Sequence, residues 1–185
     1  MPLILFNKPF QVMCQFSAHE SRKTLADYLD IPGIYPAGRL DADSEGLVLL
    51  TDDGKLQHRI SHPLSKQPKT YIVQVEGIAS DDALARLGGP LNLGDFVTQP
   101  CAVRPIEPPG WLWERDPPVR HRANLPTSWL AITIAEGKNR QVRRMTAAVG
   151  LPTLRLIRIA IGPFALSTHP IWPGEWREVS TSELD

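Results

Sequence analysis

Gly38-Arg39-Leu40-Asp41-Ala42-Asp43-Ser44-Glu45-Gly46-Leu47-Val48-Leu49-Leu50 sets three carboxylates around one arginine and runs straight into four apolar residues. A charged turn that feeds a buried strand is a common way to present an active-site carboxylate. Asp41 follows the apolar Leu40, where partial burial would hold an ionised nucleophile still and tune its pKa. A solvated surface loop has the same residue content, and on these residues alone both readings stand.

On the N-terminal side, Leu3 to Phe6 reads as a strand ended by Asn7-Lys8-Pro9, and Arg22 to Tyr28 as a short helix stopped by Ile31-Pro32-Gly33. On the C-terminal side, Asp52-Asp53-Gly54 turns the chain into a helix with Leu56 and Ile60 on one face, closing at His62-Pro63. Thr70 to Glu76 alternates as a strand with Tyr71, Val73 and Val75 on the core face. Ser80 then caps a helix with Asp81 and Asp82 in its first turn, a Leu84 and Leu87 stripe, and Gly88-Gly89-Pro90 as its stop.

Pro100 to Pro126 reads as one irregular segment, because Pro105, Pro108, Pro109, Pro117 and Pro118 break any regular ladder. It also carries Trp111, Trp113, Arg115, Arg120, His121 and Arg122. Indoles beside guanidinium groups suit stacking on unpaired bases while the cations hold phosphate. Two tryptophans covering neighbouring core is the alternative. Beyond it, Trp129 to Ala135 reads as a strand, and Asn139 caps a helix whose Val142, Met145 and Val149 face inward. Leu154 to Ile161 reads as a further strand, with Arg158 on the face of Leu156 and Asp41 as a candidate partner for its charge.

The 185 residues, 42% apolar, suit one domain or two lobes sharing a core. The apolar opening, Met1 to Phe6, is too short for a signal sequence or a membrane span, so a cytoplasmic protein is expected. Cys14 and Cys101 are far apart in sequence and form no metal-type pair. A net charge of zero argues against coating nucleic acid by bulk electrostatics. Yet Lys138, Arg140, Arg143, Arg144, Arg155 and Arg158 stand against the single acid Glu136 in their stretch, which predicts one basic face for an anionic partner. Asp41 to Asp52 partly matches a calcium loop, but position 12 is Asp rather than Glu, and Pro32, Gly33, Pro36 and Gly38 forbid the entering helix. His58 and His62 stand at i,i+4 without the rest of a zinc pattern. No metal and no cofactor is expected.

Gly38-Arg39-Leu40-Asp41 with Asp43-Ser44-Glu45-Gly46-Leu47 and Thr51-Asp52-Asp53-Gly54 resembles the signature of the RsuA-type ribosomal RNA pseudouridine synthase family. Asn7-Lys8-Pro9, Lys69-Thr70-Tyr71 and Glu136-Gly137-Lys138-Asn139-Arg140-Gln141-Val142-Arg143-Arg144-Met145 resemble its other blocks, in the same order, over nearly the whole chain. The Trp111 loop, Pro126 to Trp129 and Pro152 to Arg158 look closest to members acting on large-subunit (23S) ribosomal RNA.

The resemblance implies an α+β catalytic fold: a bent, mainly antiparallel mixed sheet with flanking helices and a central cleft. One catalytic domain would span residues 1–185 in two lobes, about 1–78 and 79–185, without the S4-type RNA-binding domain of many relatives. It implies isomerisation of a uridine to pseudouridine in large-subunit ribosomal RNA, naked or in an early precursor, by a monomer with no membrane attachment. Asp41 would be the essential carboxylate, as nucleophile on the sugar or as promoter of elimination to a glycal. Arg143 would be its ion-pair partner, Tyr71 would stack on the uracil with proton relay as a further role, and Leu156 or its neighbours would support the cleft. Arg39 would help hold the site opened by a flipped nucleotide. Lys69, Lys138, Arg140, Arg144, Arg158, Trp111, Arg120 and Arg122 would bind the RNA. A non-catalytic RNA-binding ribosome-assembly factor on the same fold is the alternative.

Overall fold

The computed structural model describes residues 1–65, 67–120 and 122–185; Lys66 and, in the proline-rich segment, His121 lie outside the described residues. In chain order the strands are β1 (Leu3–Lys8), β2 (Tyr35–Pro36), β3 (Glu45–Thr51), β4 (Lys69–Glu76), β5 (Ala102–Ile106), β6 (Thr127–Ile134), β7 (Thr153–Ile161), β8 (Phe164–Ala165) and β9 (Trp176–Val179). The α-helices among the described residues are α1 (Gly54–Ser61), α2 (Asp81–Gly88) and α3 (Gln141–Ala148). The class is α+β, with a mixed, mainly antiparallel sheet.

The chain divides into two compact units, Met1–Gln67 with Ile157–Asp185, and Pro68–Leu156. A cut near residue 78 partitions it differently, because the C-terminal segment returns to the first unit: β7 pairs with β3 and β9 with β1.

In the first unit the two uninterrupted apolar runs become central strands. Every residue of β1 and β3 is buried, as expected of strands covered on both faces. They pair antiparallel, Leu3 opposite Thr51 through Lys8 opposite Gly46. β9 flanks β1 and β2 adds to the far end of β3. β7 joins the near end of β3 in parallel, with Glu45 opposite Ile157 and Gly46 opposite Arg158. α1 starts at Asp53, whose side chain accepts from Lys55 N at 2.9 Å, and buries Leu56 and Ile60. The helix expected over Arg22 to Tyr28 shrinks to a 3-10 turn, Leu25–Asp27, capped by Thr24. The backbone before it is taken by pairing: Met13 N donates to Lys23 O at 2.8 Å and Leu25 N to Gln15 O at 2.9 Å.

In the second unit β4 pairs with β6, and β6 with β5, all antiparallel. β5 lies inside the stretch expected to be wholly irregular. Pro105 is accepted there because β5 is an edge strand, where a missing N–H costs little. Ser80 caps α2 as expected, its side chain accepting from Ala83 N at 3.1 Å. α3 starts one residue later than expected: its N-cap is Arg140, in a left-handed conformation with φ 53°, and not Asn139.

At Gly46, φ is 111°, and an added Cβ would lie 2.2 Å from the Arg158 carbonyl oxygen. At Gly38, φ is 86° and the same atom would meet nothing within 4 Å. Gly46→Ala therefore combines strained backbone with a clash between paired strands, and is expected to lower unfolding free energy by about 3 kcal/mol. Gly38→Ala carries only the backbone share, about 1 kcal/mol; urea denaturation of the two variants reads the difference.

Candidate functional site

Asp41 sits in the turn that enters β3, and the turn is fixed by backbone contacts on both sides. Its own carbonyl accepts from Ser44 N at 3.0 Å, and the next carbonyl, that of Ala42, accepts from Gln11 N at 2.7 Å. Ala42 O also accepts from Lys8 Nζ at 3.3 Å. Leu40 beside it is buried, whereas Asp41 is partly exposed. A carboxylate on a rigid, half-exposed turn can reach a substrate without moving the backbone.

Lys8 was read from the sequence as the end of an apolar run and as part of the Asn7-Lys8-Pro9 block, with no role of its own. It is fully buried, and its ammonium also donates to Pro9 O and Val12 O, each at 2.8 Å. Burial pushes its pKa down to about 8, against the opposite pull of Cys14, Glu45, Asp43 and Asp41. Lysine followed by proline at the end of a buried strand was the available signal, because the chain there turns and leaves carbonyls that need donors.

Arg158 is 3% exposed, so its guanidinium is not presented at the surface. It donates from Nε to Leu47 O at 2.8 Å and from Nη1 to Arg39 O at 3.5 Å. Expected to meet Asp41 or RNA, it instead braces the backbone before and after the Asp41 turn. Arg39 itself has an exposed side chain. The calcium-loop reading fails on geometry, because Glu45–Thr51, the middle and end of that loop, is an extended strand.

In the second unit Tyr71 lies on β4 opposite Ile132 and is 8% exposed. Lys69 is on the same strand, its Nζ 3.9 Å from where a Cβ of Gly137 would be. The segment before α3 is tied by Gln141, which is 3% exposed. Its amide nitrogen donates to Glu136 Oε1 at 3.1 Å and its oxygen accepts from Lys138 N at 3.3 Å. Glu136 also accepts from Gln99 N at 2.7 Å. This lock orients α3, which carries Arg143 half-buried while Arg140 and Lys138 are exposed.

The arginines of α3 do not all stand ready for an outside anion. Arg144 pairs with Asp95 at 2.5 Å, donates to Leu93 O at 3.0 Å and lies over the Phe96 ring, 5.4 Å from its centroid. Its hydrogen bond holds the Asp95 carboxyl below the usual carboxylate range. The scarcity of acids near Arg144 in sequence was misleading, because its partner comes from residue 95.

The proline-rich segment is held by two arginines that sequence reading counted only as charge. Arg115 donates to Pro117 O at 2.9 Å, Pro118 O at 3.2 Å and Leu154 O at 3.3 Å, and Arg155 donates to Trp113 O at 2.9 Å. Trp111 stays 40% exposed, its ring 6.4 Å from that of Trp113, and Arg120 and Arg122 are exposed nearby in sequence. An open indole face and exposed guanidinium groups can take up a nucleobase and its phosphates.

A family model described as RNA pseudouridylate synthase matches residues 2–148. A ribosomal large subunit pseudouridine synthase E of Vibrio parahaemolyticus is 52% identical over 96% of this chain and 73% of its own. The protein of that description in Xanthomonas campestris pv. campestris is 54% identical over 95% of this chain and 94% of its own. Among solved structures, one described as a pseudouridylate synthase superposes with a TM-score of 0.78 at 29% identity, covering 99% of this chain and 72% of that one.

The Gln141 lock and the Arg144 pair are expected to differ in weight. Gln141→Met leaves Glu136 and the Lys138 amide each short of a partner and should lower unfolding free energy by about 2 kcal/mol in urea denaturation. Arg144→Ala removes an exposed pair and should leave the urea midpoint nearly unchanged.

Proposed function

The chain belongs to the RNA pseudouridylate synthase family, and on that premise we propose that it converts a uridine of large-subunit ribosomal RNA to pseudouridine with Asp41 as nucleophile. The observation that carries the proposal is the Asp41 turn: a half-exposed carboxylate, fixed by three hydrogen bonds to its own and the following carbonyl, at the mouth of a buried strand. The names of the relatives that are 52% and 54% identical support the large subunit as the source of the substrate.

The reaction is an isomerisation, so it needs no oxidant, reductant or nucleotide. Asp41 attacks C1′ as the bond from C1′ to N1 of the uracil breaks, and the released base carries the electron pair on N1. The base turns, C5 bonds to C1′ as the carboxylate leaves, and the proton on C5 is lost while N1 gains one. Catalysis through a covalent intermediate of this kind divides one difficult substitution into two easier ones.

Tyr71 meets the face of the uracil, and Arg143 supplies positive charge to the reacting nucleotide. Trp111, Arg120 and Arg122 contact RNA beyond the target, together with Lys69, Lys138 and Arg140, while Arg144 and Arg158 act mainly by bracing the elements that present these groups. The chain acts in the cytoplasm as a monomer on naked RNA or an early precursor.

Because C5 loses its hydrogen, RNA made with tritium at C5 of uridine reports turnover by tritium release. The wild type is expected to release tritium from unmodified large-subunit ribosomal RNA with no metal or nucleotide added. Asp41→Asn should lower the rate about 10³-fold or more and leave RNA binding intact. Binding without release by the wild type would point instead to an assembly factor that keeps the fold without the chemistry.

A further inference from the structure

Trp172, just before β9, is 62% exposed, more than Trp111 at 40% or Trp176 at 43%. Its backbone is nevertheless fixed. Glu175 N donates to Trp172 O at 2.9 Å across Pro173 and Gly174, and Gly174 has φ 86°, the pattern of a type II turn. Glu175 brings its carboxylate back onto the turn, Oε1 accepting from Trp172 N at 3.0 Å. Asn7, fully buried on β1, ties the turn to the sheet. Its carbonyl accepts from Gly174 N at 2.7 Å, its N donates to Glu175 O at 3.1 Å, and its Nδ2 donates to Ile171 O at 3.0 Å. None of these bonds uses the indole, so the turn presents the ring without depending on it.

The Trp172 turn and the Asp41 turn lie in the same compact unit and enter the sheet at the same end. Asn7 holds the first, and the next residue, Lys8, donates to the Ala42 carbonyl of the second. β1 has β3 on one side and β9 on the other. Adjacent strands lie about 4.8 Å apart, which sets β3 and β9 about 10 Å from each other. A cation stands by the same turn. An added Cβ at Gly174 would lie 3.0 Å from Tyr28 Cε1, and over that tyrosine ring is Lys23 Nζ, 5.8 Å from the centroid. Lys23 has an exposed side chain on a backbone tied down by Met13 N, which donates to its carbonyl at 2.8 Å.

We propose that Trp172 is a stacking platform for an unpaired RNA base close to the target uridine, with the Lys23 ammonium taking a phosphate of the same strand. This rests on the reading of RNA as the substrate.

The two groups divide the work by their chemistry. An indole offers a flat apolar face to any base that is out of a duplex, and an ammonium neutralises phosphate. A ring already held on a rigid turn loses little freedom when a base settles on it, so more of the contact appears as affinity. Trp172 is remote from the bonds that break and form, so its effect falls on binding and on the choice of site rather than on the chemical step. A neutral ring displaces no counterions, whereas a lysine on a phosphate displaces about one, so salt separates the two contributions.

The experiment measures the Kd for unmodified large-subunit ribosomal RNA across a salt series, and single-turnover tritium release from the C5-tritiated RNA at saturating protein. It compares wild type, Trp172→Ala, Trp172→Phe and Lys23→Gln. Trp172→Ala is expected to raise Kd about tenfold with an unchanged salt slope, and Trp172→Phe to recover most of the loss. The release rate at saturation should stay within about twofold of wild type in both. Lys23→Gln should weaken binding about threefold and lower the slope of log affinity against log salt by about one. Both side chains are in solvent, so melting temperatures should agree within about 2 °C.

An unchanged Kd in Trp172→Ala, or a Trp172→Phe as weak as the alanine variant, overturns the proposal. So does a Trp172→Ala defect seen on ribosomal precursor particles and absent on naked RNA, which would assign the indole to a protein partner. Wild type that binds the RNA and releases no tritium overturns the pseudouridine reading, while the Kd series still decides the role of Trp172. Wild type that binds no RNA overturns both.

Discussion

β3 and β7 run parallel for only two residue pairs, and that short contact exists because position 46 has no side chain. With a Cβ there, the Arg158 carbonyl would have to retreat by more than an ångström. Once β7 is docked, Arg158 reaches back to the carbonyls of Leu47 and Arg39. The Asp41 turn is thereby framed by one guanidinium on both flanks, with Lys8 holding it from β1. The rigidity of the carboxylate follows from a backbone contact a few residues downstream of it.

Several of the cations that are well buried in this molecule are spent on carbonyl oxygens. Lys8, Arg158, Arg155 and the half-buried Arg115 each donate to backbone acceptors. The physical reason lies in the chain itself. Turns and proline-rich segments supply carbonyls without matching N–H donors, and a cationic side chain meets several of them at once. A neutral formal charge therefore conceals a division of labour. Some basic residues are internal struts, whereas others, Arg39, Arg120, Arg122 and Lys138 among them, are exposed.

Much of this was legible before any coordinates. The apolar runs of β1 and β3 and the alternation of β4 and β6 are strand signals with few competing readings. Ser80 announced α2 through its capping chemistry, and the Asp52-Asp53-Gly54 turn announced α1. What could not be read were pairings set by long-range contacts. Arg144 finds Asp95 across 49 residues, Arg158 finds Leu47 across 111, and Arg22 to Thr24 give up a helix to pair with Met13. Lys8 was missed for a related reason: a lone lysine reads as surface, and only the packing around it makes it internal. Asn139 lost the cap of α3 because Gln141 holds the preceding loop from inside the helix, leaving Arg140 to turn the chain.

β5 is the last strand of the sheet on its side. A strand with one unpaired edge is an open invitation to a second chain, and a protein that must persist at high concentration needs a way to refuse it. β5 is short, carries an exposed Arg104 in its middle, and has Pro105 next to it. A neighbour trying to extend the ladder would meet a missing donor and a charge within adjacent positions. The proline that looked from the sequence like a disrupter of structure is also a guard against fibrous self-association.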